Sequence, residues 1–544
     1  MSWQQVSRTR RVLAREDGTV IKDWGGRLPI ALIFPNTYYL GMSNLAVHTL
    51  YHHWNKRDDI VCERVFTDLM PPLSLESGAP LSYFPVLAFS IAYEMDYFSV
   101  VALLRAADMP PLAEERDESF PFLLAGGPAL SANPEPLAPL LDAIVIGEVE
   151  PILDPLSDAL QQIARERQAG MEALSRLPGL YLPHQPPLAH GPRPVRRQWL
   201  PDLDSYPTRS AILTPDTEFA QMGLIEIARG CGRGCRFCLA GYIYRPPRQR
   251  TMEGILAQAA ELLRHTDRLG LVSAAVSDHS AIDELAPALR QLGARLSVSS
   301  MRVDPVSEPL LRALAESGAR TLTIAPEAGS ERLRVRINKT QTRDDVLRAI
   351  EMAARFGFEH LKLYFMLGLP SEGEEDIEAL IDLALECGAR FRRQVTVNLT
   401  PFVPKAHTPF QRMAQARAKV VRRRLARIQH DLRRQGVAVK SESPAWAEVQ
   451  GTLSRGDRRV ARALLAVERP SPAAWRRALE EIEQPLSYLL RQRAAGEPLP
   501  WDFVQTGVRV SYLESEAVRA EQGKTSPPCP PTGCVACGVC PPEA

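Results

Sequence analysis

Seven of the nine cysteines in this chain lie in two short segments. The first segment holds Cys231, Cys235 and Cys238, and the second holds Cys529, Cys534, Cys537 and Cys540. Disulfide frameworks belong to small secreted domains, whereas tight cysteine clusters in a chain of 544 residues indicate bound metal. We therefore predict two metal sites, each on its own loop. We interpret the isolated Cys62 and Cys387 as small buried apolar residues.

The first cysteine segment has the spacing CxxxCxxC on a glycine-rich loop. Three thiolates this close together can bind one face of a [4Fe–4S] cluster and leave one iron without a protein ligand. S-adenosylmethionine (SAM) can chelate such an iron through its amino and carboxylate groups. The alternatives are a zinc knuckle or unrelated thiols. A closed structural zinc site needs four ligands, and no fourth lies nearby in the sequence.

Short apolar runs alternate with helical patterns in the first part of the chain. The runs at 28–34, 86–91, 122–125 and 143–146 are typical of buried parallel strands. We predict a doubly wound, Rossmann-like α/β domain over residues 1–166, whose ligands bind at the carboxyl ends of its strands. Residues 167–220 are rich in proline and predict a connector.

A second alternating block predicts a partial parallel barrel over residues 221–440. Its six candidate strands lie at 223–228, 271–277, 295–299, 321–325, 361–366 and 395–400. Parallel barrels of this kind place their chemistry at the carboxyl ends of the strands, and the first cysteine segment directly follows the first strand. Residues 441–544 predict a mostly helical C-terminal region that ends in the second cysteine segment.

Phe237 stands immediately before the third cysteine of a CxxxCxxC motif that follows the first strand of a six-unit barrel. In these features the chain resembles the radical SAM superfamily. The resemblance implies a [4Fe–4S] cluster and reductive cleavage of SAM to a 5′-deoxyadenosyl radical. It also makes Phe237 and the strand-end residues Ser299, Arg302 and Glu327 candidate SAM contacts. Taken alone, each strand-end residue is equally typical of a structural role.

Glycine-containing segments at the predicted strand ends of the first domain would allow a flat ligand to approach the backbone closely. These segments resemble the cobalamin-binding domain of the cobalamin-dependent radical SAM class. By that resemblance the candidate cofactor contacts are Tyr39, Gly41, Gly126, Gly127, Pro128, Gly147 and Glu148. Nearly end to end, the chain resembles a bacterial family of this class that carries the same cysteine-rich tail.

One motif of many cobalamin proteins is absent from this sequence. The DxHxxG motif, which supplies a histidine to the lower face of cobalt, does not occur, and His48, His52 and His53 have a different spacing. Two interpretations follow. Either cobalamin binds without a histidine on its lower face, or the domain keeps the fold without the cofactor.

The second cysteine segment has the spacing C-x4-C-x2-C-x2-C. Four cysteines are enough for a closed metal site. Their close spacing is nearer to ferredoxin-type ligation than to two separated zinc pairs. An auxiliary iron–sulfur cluster and a zinc ion both stay open as interpretations, and at the end of the chain the segment would fold only with its metal.

The bulk properties narrow the choice of partners. The formal net charge is +1, so the whole chain offers no argument for a nucleic-acid or membrane partner. A basic run at 412–434 could contact RNA, but it lacks aromatic residues for stacking and is equally typical of a solvated helix face that closes the barrel. No secretory signal is recognisable, and we expect a cytoplasmic protein.

We predict a radical SAM enzyme that carries out cobalamin-dependent methyl transfer to an unactivated carbon. The alternative is a radical SAM enzyme that modifies RNA or a small molecule by rearrangement, cyclisation or sulfur insertion, with a first domain that no longer binds cobalamin. A third hypothesis, a non-catalytic metal-binding adaptor for RNA or ribosomes, conflicts with the intact cluster motif. The expected protein partner is a reductant such as flavodoxin or ferredoxin.

Overall fold

A computed structural model describes residues 3–68, 71–185, 192–304, 306–530 and 534–540 of the chain. Residues 186–191 of the predicted connector and residues 531–533 of the tail lie outside this description. The described residues form two parallel sheets flanked by helices, and a C-terminal helical region that packs on both.

The first sheet contains the strands β1 Leu28–Phe34, β2 Ile60–Phe66, β3 Val86–Ser90, β4 Phe122–Gly126, β5 Ala143–Val145 and β6 Leu180–Tyr181. Their order is β2-β1-β3-β4-β5-β6, with the first five parallel and β6 antiparallel to β5. Every residue of β1 and β2 is buried, as expected of parallel strands covered on both faces.

The helices of this part are α1 Trp3–Leu13, α2 Tyr38–Gly41, α3 Leu45–Lys56, α4 Tyr97–Ala106, α5 Pro128–Ala132, α6 Leu153–Arg165 and α7 Arg167–Arg176. Helices α3, α6 and α7 pack on one face of the sheet, and α4 and α5 pack on the other. Because the chain leaves β1 and β3 toward opposite faces, the strand order reverses between them. Doubly wound sheets bind ligands at such a switch point.

The middle of the chain contains the strands β7 Val195–Arg196, β8 Gly223–Glu226, β9 Ala228–Arg229, β10 Arg248–Gln249, β11 Arg268–Val272, β12 Arg295–Val298, β13 Thr321–Glu327, β14 His360–Leu367, β15 Gln394–Pro401 and β16 Ala438–Ser441. Strands β8, β11 and β12 form one parallel run, and β13 to β16 form another. A parallel bridge between Met301 and Ile324 joins the two runs into an open barrel.

The barrel is covered by the helices α8 Ala240–Ile243, α9 Met252–Leu262, α10 Ile282–Gln291, α11 Glu308–Glu316, α12 Glu331–Arg336, α13 Arg343–Arg355, α14 Glu374–Phe391 and α15 Ala418–Arg434. Strands and helices share one large apolar core. Short 3₁₀ turns lie at Leu81–Tyr83, Glu94–Asp96, Ala113–Glu115, Ala138–Leu140, Glu150–Ile152, Leu203–Ser205 and Val276–Asp278.

The C-terminal region contributes the helices α16 Pro444–Arg455, α17 Val460–Ala466, α18 Pro472–Glu481, α19 Leu486–Leu489 and α20 Val510–Glu521, and the strand β17 Val504–Gln505. Helices α16 to α19 join the apolar core on the α4 face of the first sheet, where Trp475 packs edge-on against Phe98. Strand β17 pairs with β7. The region therefore fastens the first sheet to the barrel.

The predicted fold class is confirmed: a doubly wound domain, a partial barrel and a mostly helical C-terminal region. Three details differ from the sequence expectations. Strand β2 was not predicted, and the strand expected at 271–277 is Arg268–Val272, followed by the turn at Val276–Asp278. Helix α7 and strand β6 lie beyond residue 166 yet pack on the first sheet, inside the segment predicted as a connector.

Candidate active site

The first cysteine segment forms a loop, here called the cluster loop (residues 230–238), at the carboxyl end of the barrel. Its backbone is fixed by two side chains. The Asn338 amide donates to the carbonyl oxygens of Arg233 and Gly234 at 3.2 Å, and the Tyr242 hydroxyl donates to Gly234 at the same distance. Gly230 and Gly234 adopt φ values of 81° and 70°, which glycine reaches without strain.

The three thiols of the cluster loop lie within electrostatic range of one another. Burial raises the pKa of Cys231, and it raises the pKa of Cys238 to about 12; in both cases neighbouring thiols add to the shift. Backbone N–H groups act in the opposite direction, from Arg233 on Cys231 and from Gly241 on Cys238. Such N–H groups would stabilise thiolates that bind an anionic cluster.

A chain of charged groups extends from the cluster loop along the carboxyl edge of the barrel. Arg233 forms a two-pronged ion pair with Asp278 at 2.6 and 2.8 Å, and Arg302 lies 3.9 Å from the same carboxylate. The buried Arg302 Nε donates no hydrogen bond to the described residues. The Arg302 charge acts on both Cys231 and Glu327. The carboxyl edge therefore brings Arg302 and Glu327, both predicted to contact SAM, to the cluster loop.

Glu327 is held at the end of β13 with a φ of 68°. Burial raises the pKa of its carboxyl group, while Lys339, with its Nζ 3.5 Å from Oε1, and Arg302 act to lower it. Phe237 packs against an apolar cluster at the carboxyl ends of β13 and β14 that includes Ala328 and Met366. Because Ala328 directly follows Glu327, Phe237 lies in a cluster at the same carboxyl edge of the barrel.

An interdomain cleft lies where the carboxyl edges of the two sheets face each other. It consists of two adjoining cavities of about 340 and 350 Å³ that share Leu45, Ala46, Glu226 and Val272 in their walls. The first domain contributes the ends of β3, β4 and β5 and helix α3. The barrel contributes Gly230, Ala240 and Tyr244, which flank the three cysteines, so the cleft reaches the cluster loop.

Most residues predicted to bind the second cofactor line this cleft. They are Gly126, Gly127, Pro128, Gly147 and Glu148. Ser299, which is predicted to contact SAM, lines the adjoining cavity. Gly127 has a φ of 122°, and a Cβ there would lie 2.2 Å from the Ile91 carbonyl oxygen, so this turn requires glycine.

Tyr39 and Gly41 lie away from the cleft. The Tyr39 hydroxyl donates to Glu218 at 2.7 Å, and its side chain is largely exposed. A Cβ at Gly41 would lie 2.3 Å from the Phe66 ring, so Gly41 allows α2 to pack against β2. Neither residue is among those that form the walls of the cleft.

Glu148 borders the cleft but its carboxylate is fully engaged. It accepts from Arg248 at 2.7 and 2.9 Å, from Arg229 at 2.9 Å and from the Leu200 backbone N–H at 2.8 Å. Glu148 belongs to the first domain and both arginines to the barrel. The buried ion pairs therefore fasten the two carboxyl edges together.

The three clustered histidines are not in the cleft. His48 is buried, accepts backbone N–H groups of Ala211 and Ile212 at Nδ1, and contacts the Met42 carbonyl oxygen at 3.0 Å through Nε2. His52 and His53 line a separate cavity beneath α3. None of the described residues lining the cleft is a histidine.

Sequence reasoning missed three residues of the site. Asp278 lies just beyond the strand expected at 271–277 and was not singled out; it ends the turn after β11 and pairs with the cluster loop. Asn338 lies in no recognisable sequence motif. Only the structure identifies it, through its φ of 55° and its two hydrogen bonds to the cluster loop. Tyr244 could have been found from its position six residues after Cys238, in the segment that returns from the cluster loop.

The described residues contain no group of three His, Cys, Asp or Glu side chains arranged tightly enough for a single metal ion. A cubane cluster spreads its cysteine ligands more widely than one ion does. Within the same residues, no helix combines the length and apolar character needed to cross a membrane.

Two family models match the chain. The model for radical SAM proteins, N-terminal, matches residues 46–183, and the model for the radical SAM superfamily matches residues 225–384. A Methanocaldococcus jannaschii protein, MJ0966, is 32% identical over 440 residues, which cover 80% of this chain and 90% of that protein. The chain belongs to the radical SAM superfamily. As a radical SAM enzyme it uses SAM and a [4Fe–4S] cluster.

Other similar proteins cover less of this radical SAM chain. A methyltransferase of Pyrococcus horikoshii, PH0819, is 27% identical over 52% of this chain and 61% of its own length. Cytidylyl-2-hydroxyethylphosphonate methyltransferase of Streptomyces wedmorensis is 26% identical over 37% of this chain and 39% of its own length. The solved methyltransferase TsrM of Kitasatospora setae, with cobalamin and a [4Fe–4S] cluster bound, is 14% identical, with a TM-score of 0.49 over 69% of this chain and 75% of TsrM.

Proposed function

We propose that this radical SAM enzyme is a cobalamin-dependent methyltransferase that places a methyl group on an unactivated carbon. The observation that carries the proposal is the interdomain cleft, whose walls come from the carboxyl edges of both sheets and which reaches the cluster loop. Relatives named as methyltransferases, PH0819 among them, support the same reaction class.

The lining of the cleft fits a large, flat and mostly apolar ring. Leu45, Phe89 and Val145 supply apolar walls, and Gly126 and Gly127 leave the strand ends without side chains. Two adjoining cavities of about 340 and 350 Å³ fall within the size range of cofactor pockets. The charges of Glu148 and Arg229 on the rim are already neutralised by ion pairs, so a neutral ring would meet no unpaired charge there.

Cobalamin bound in the cleft would supply a carrier for a methyl group, and the cluster would supply the electron that cleaves SAM. The chain's own residues supply position and shielding. Arg302, whose Nε lies 3.9 Å from Asp278 and donates no hydrogen bond to the described residues, offers a bidentate donor for a carboxylate, such as that of SAM, beside the cluster loop. Tyr244 and Ala240 line the cleft on the side of the cluster loop and would exclude water from that side.

The test is cobalamin binding by the reconstituted protein. The protein is loaded anaerobically with iron and sulfide, mixed with hydroxocobalamin, and passed through a desalting column while the corrin absorbance is followed. We expect stoichiometric retention of cobalamin, with the spectrum of a form that lacks a histidine ligand, because no described residue of the cleft walls is a histidine. Absence of retained cobalamin from a cluster-loaded protein would contradict the proposal.

A second candidate function is a radical SAM modification that does not use cobalamin, such as sulfur insertion. Barrel-length similarity to ribosomal protein uS12 methylthiotransferase RimO of Caldanaerobacter subterraneus, 26% identical over 36% of this chain and 46% of its own length, favours this candidate. The same binding experiment separates the two, since only the first requires cobalamin in the cleft.

We further propose a flavodoxin or ferredoxin as reductant, in the cytoplasm. An RNA substrate receives little support from the basic helix α15. Arg424 pairs with Glu372 at 2.6 Å, and Arg423 and Arg427 pair with Glu374 on the neighbouring helix α14. These ion pairs hold α15 against the barrel, so the arginine charges are partly neutralised and less available to an RNA phosphate.

A further inference from the structure

The cysteine-rich tail lies directly on the cluster loop. The backbone N–H of Cys529 donates to the carbonyl oxygen of Gly232 at 2.8 Å. A Cβ added at Gly232 would lie 3.2 Å from the Cβ of Cys529. The two cysteine segments, 290 residues apart in the sequence, are therefore in backbone contact.

The same side chains clamp the loop and the tail together. Asn338, whose amide nitrogen holds the cluster loop, accepts from the Ser526 backbone N–H at 2.8 Å. Arg236, which follows Cys235, is fully buried and donates to Glu516 at 3.0 Å and to the Lys524 carbonyl oxygen at 2.8 Å. Asn338 and Arg236 therefore both join the cluster loop to residues that precede the tail cysteines.

The four tail thiols form one group. Cys529 lies within electrostatic range of Cys534, Cys537 and Cys540. Cys537 is buried against Tyr242, the residue whose hydroxyl holds Gly234 of the cluster loop, whereas the other three thiols are partly exposed. Val535 between them is 54% exposed. One side of the group thus faces the cluster loop and the other faces solvent.

A cation lies between the two cysteine groups. The Arg245 guanidinium stacks over the Tyr242 ring, with 4.7 Å to its centroid, and acts electrostatically on Cys529. A buried cation beside thiolates compensates the negative charge of an iron–sulfur centre. The C-x4-C-x2-C-x2-C spacing favours the same centre over zinc, whose four-cysteine sites are commonly two separated pairs.

We propose that the tail cysteines bind a second iron–sulfur cluster and that this tail cluster passes electrons to the cluster on the cluster loop. In the step, the reduced tail cluster loses one electron and the oxidised loop cluster gains it, with no bond made or broken and no proton moved. A one-electron protein reductant of the flavodoxin or ferredoxin type restores the tail cluster at its exposed side. The acceptor role rests on reductive SAM cleavage, whereas the existence of the tail cluster does not.

The existence of the tail cluster is tested without any enzymatic reaction. The full-length variant Cys231→Ala/Cys235→Ala/Cys238→Ala is reconstituted with iron and sulfide in the presence of equimolar zinc. We expect it to retain about half of the wild-type iron and sulfide and to give a reduced iron–sulfur signal by electron paramagnetic resonance. Zinc alone, or no metal, at the tail would overturn the proposal.

The contact between the clusters is tested by comparing three reduced samples. In wild type, the two adjacent paramagnetic centres should broaden each other's resonance. The spectrum should therefore differ from the sum of the loop-cysteine variant and the tail variant Cys529→Ala/Cys534→Ala/Cys537→Ala/Cys540→Ala. A spectrum equal to that sum would contradict adjacency. Cys387→Ala serves as the control for loss of a cysteine and should keep the wild-type spectrum.

The relay is tested by changing the electron donor for the tail variant. With reduced flavodoxin, 5′-deoxyadenosine formation should fall at least about 10-fold relative to wild type. With dithionite, a small donor that reaches the loop cluster directly, the loss should be less than about 2-fold. Equal losses with both donors would indicate a structural tail and overturn the relay, and so would no loss with either. Failure of wild type to cleave SAM with dithionite would instead contradict the proposed function.

Discussion

The carboxyl edges of the two sheets face the same cleft but are built from different chemistry. On the first sheet, the ends of β3, β4 and β5 present apolar side chains and glycine, and none of the described residues there is a histidine. On the barrel, the edge presents thiols and the connected charges of Asp278, Arg302 and Glu327. Although the two sheets are similar in fold, the edge of the first is suited to binding by shape, and the edge of the barrel is suited to binding by ligation and charge.

This difference indicates how the two edges divide the work. Ligation and ion pairing fix the position of small, charged groups such as SAM beside the cluster loop. An apolar edge holds a large ring by its area and leaves its reactive face unconstrained. Changes on the barrel edge should therefore impair SAM binding or cleavage, and changes to the cleft walls on the first edge should impair binding of the second cofactor.

The largest effect is expected from the cluster loop. Cys235→Ala removes one of three thiolates that the loop supplies, so the cluster loses its attachment. Formation of 5′-deoxyadenosine from SAM and dithionite, read by mass spectrometry, should fall to background. Cys387→Ala, a buried cysteine on α14, is the control and should retain wild-type formation. Full activity of Cys235→Ala would rule out the loop as the cluster site.

The next effect concerns the ion pairs that join the edges. Glu148→Gln leaves Arg248 buried without a compensating charge, although Arg229 keeps its ion pairs with Glu150 and Glu226. The free energy of unfolding should fall by about 3 kcal/mol at pH 7. Chemical denaturation measures it. The exposed Glu468→Gln is the matched control and should change stability by less than about 0.5 kcal/mol. An equal, small loss in both variants would show that the ion pairs do not fasten the edges.

The same pair predicts a pH dependence. Burial acts to raise the pKa of Glu148, but Arg248 and Arg229 hold it below its ordinary value of 4.5. A carboxyl group with a lowered folded-state pKa stabilises the protein above the unfolded value and loses that contribution as the pH falls through the folded value. The stability difference between wild type and Glu148→Gln should therefore be full at pH 7 and shrink below about pH 4.5. A difference that grows on acidification would contradict this assignment.

A smaller effect should follow from filling the apolar edge. Gly126→Phe places a ring at the end of β4, inside the cleft, and should weaken cobalamin binding by about 10-fold, which is about 1.4 kcal/mol. Gly126→Ala is the matched control, because a Cβ there meets Val145 only at 3.5 Å. Titration followed by corrin absorbance measures both. Loss of SAM cleavage by Gly126→Phe would show that the two edges are not separate in function.

The smallest effect is expected at the charged edge beyond the cysteines. Arg302→Lys keeps the positive charge but removes the planar fork, which should weaken SAM binding by about 5-fold. Equilibrium dialysis of the reconstituted protein gives the affinity. The exposed Arg312→Lys on α11 should leave it unchanged. Unaltered SAM affinity in Arg302→Lys would assign Arg302 to the support of Asp278 alone.

Local sequence patterns were enough to predict the sheets where the strands are uniformly apolar, as in β1. They failed at β2, because Glu63 and Arg64 interrupt the apolar run. The structure shows why these residues are buried in a strand: Arg64 pairs with Glu16 and Glu76, each at 2.7 Å, and all three side chains are inaccessible or nearly so. The partners lie 48 and 12 residues away, so no local pattern could reveal them.

The residues of the candidate site also fall into those that local sequence patterns predict and those that they do not. The cluster-loop thiols and the glycines at the end of β4 could be predicted, because the pattern of adjacent residues indicates their chemistry or their backbone conformation. The role of Glu148 could not, because its partners Arg229 and Arg248 belong to another domain. Asp278 and Asn338 were missed for the same reason: each acts on the cluster loop from a distant turn.

The most direct test of the shared cleft measures two products of SAM in one assay. Cluster-loaded protein is incubated anaerobically with SAM and a strong reductant, with and without hydroxocobalamin, and S-adenosylhomocysteine and 5′-deoxyadenosine are quantified by mass spectrometry. We predict that S-adenosylhomocysteine forms only when cobalamin is present and is reduced in Gly126→Phe at limiting cobalamin, while 5′-deoxyadenosine forms in both proteins. S-adenosylhomocysteine formation that does not depend on cobalamin, or its absence when cobalamin is supplied, would contradict methyl transfer in the cleft.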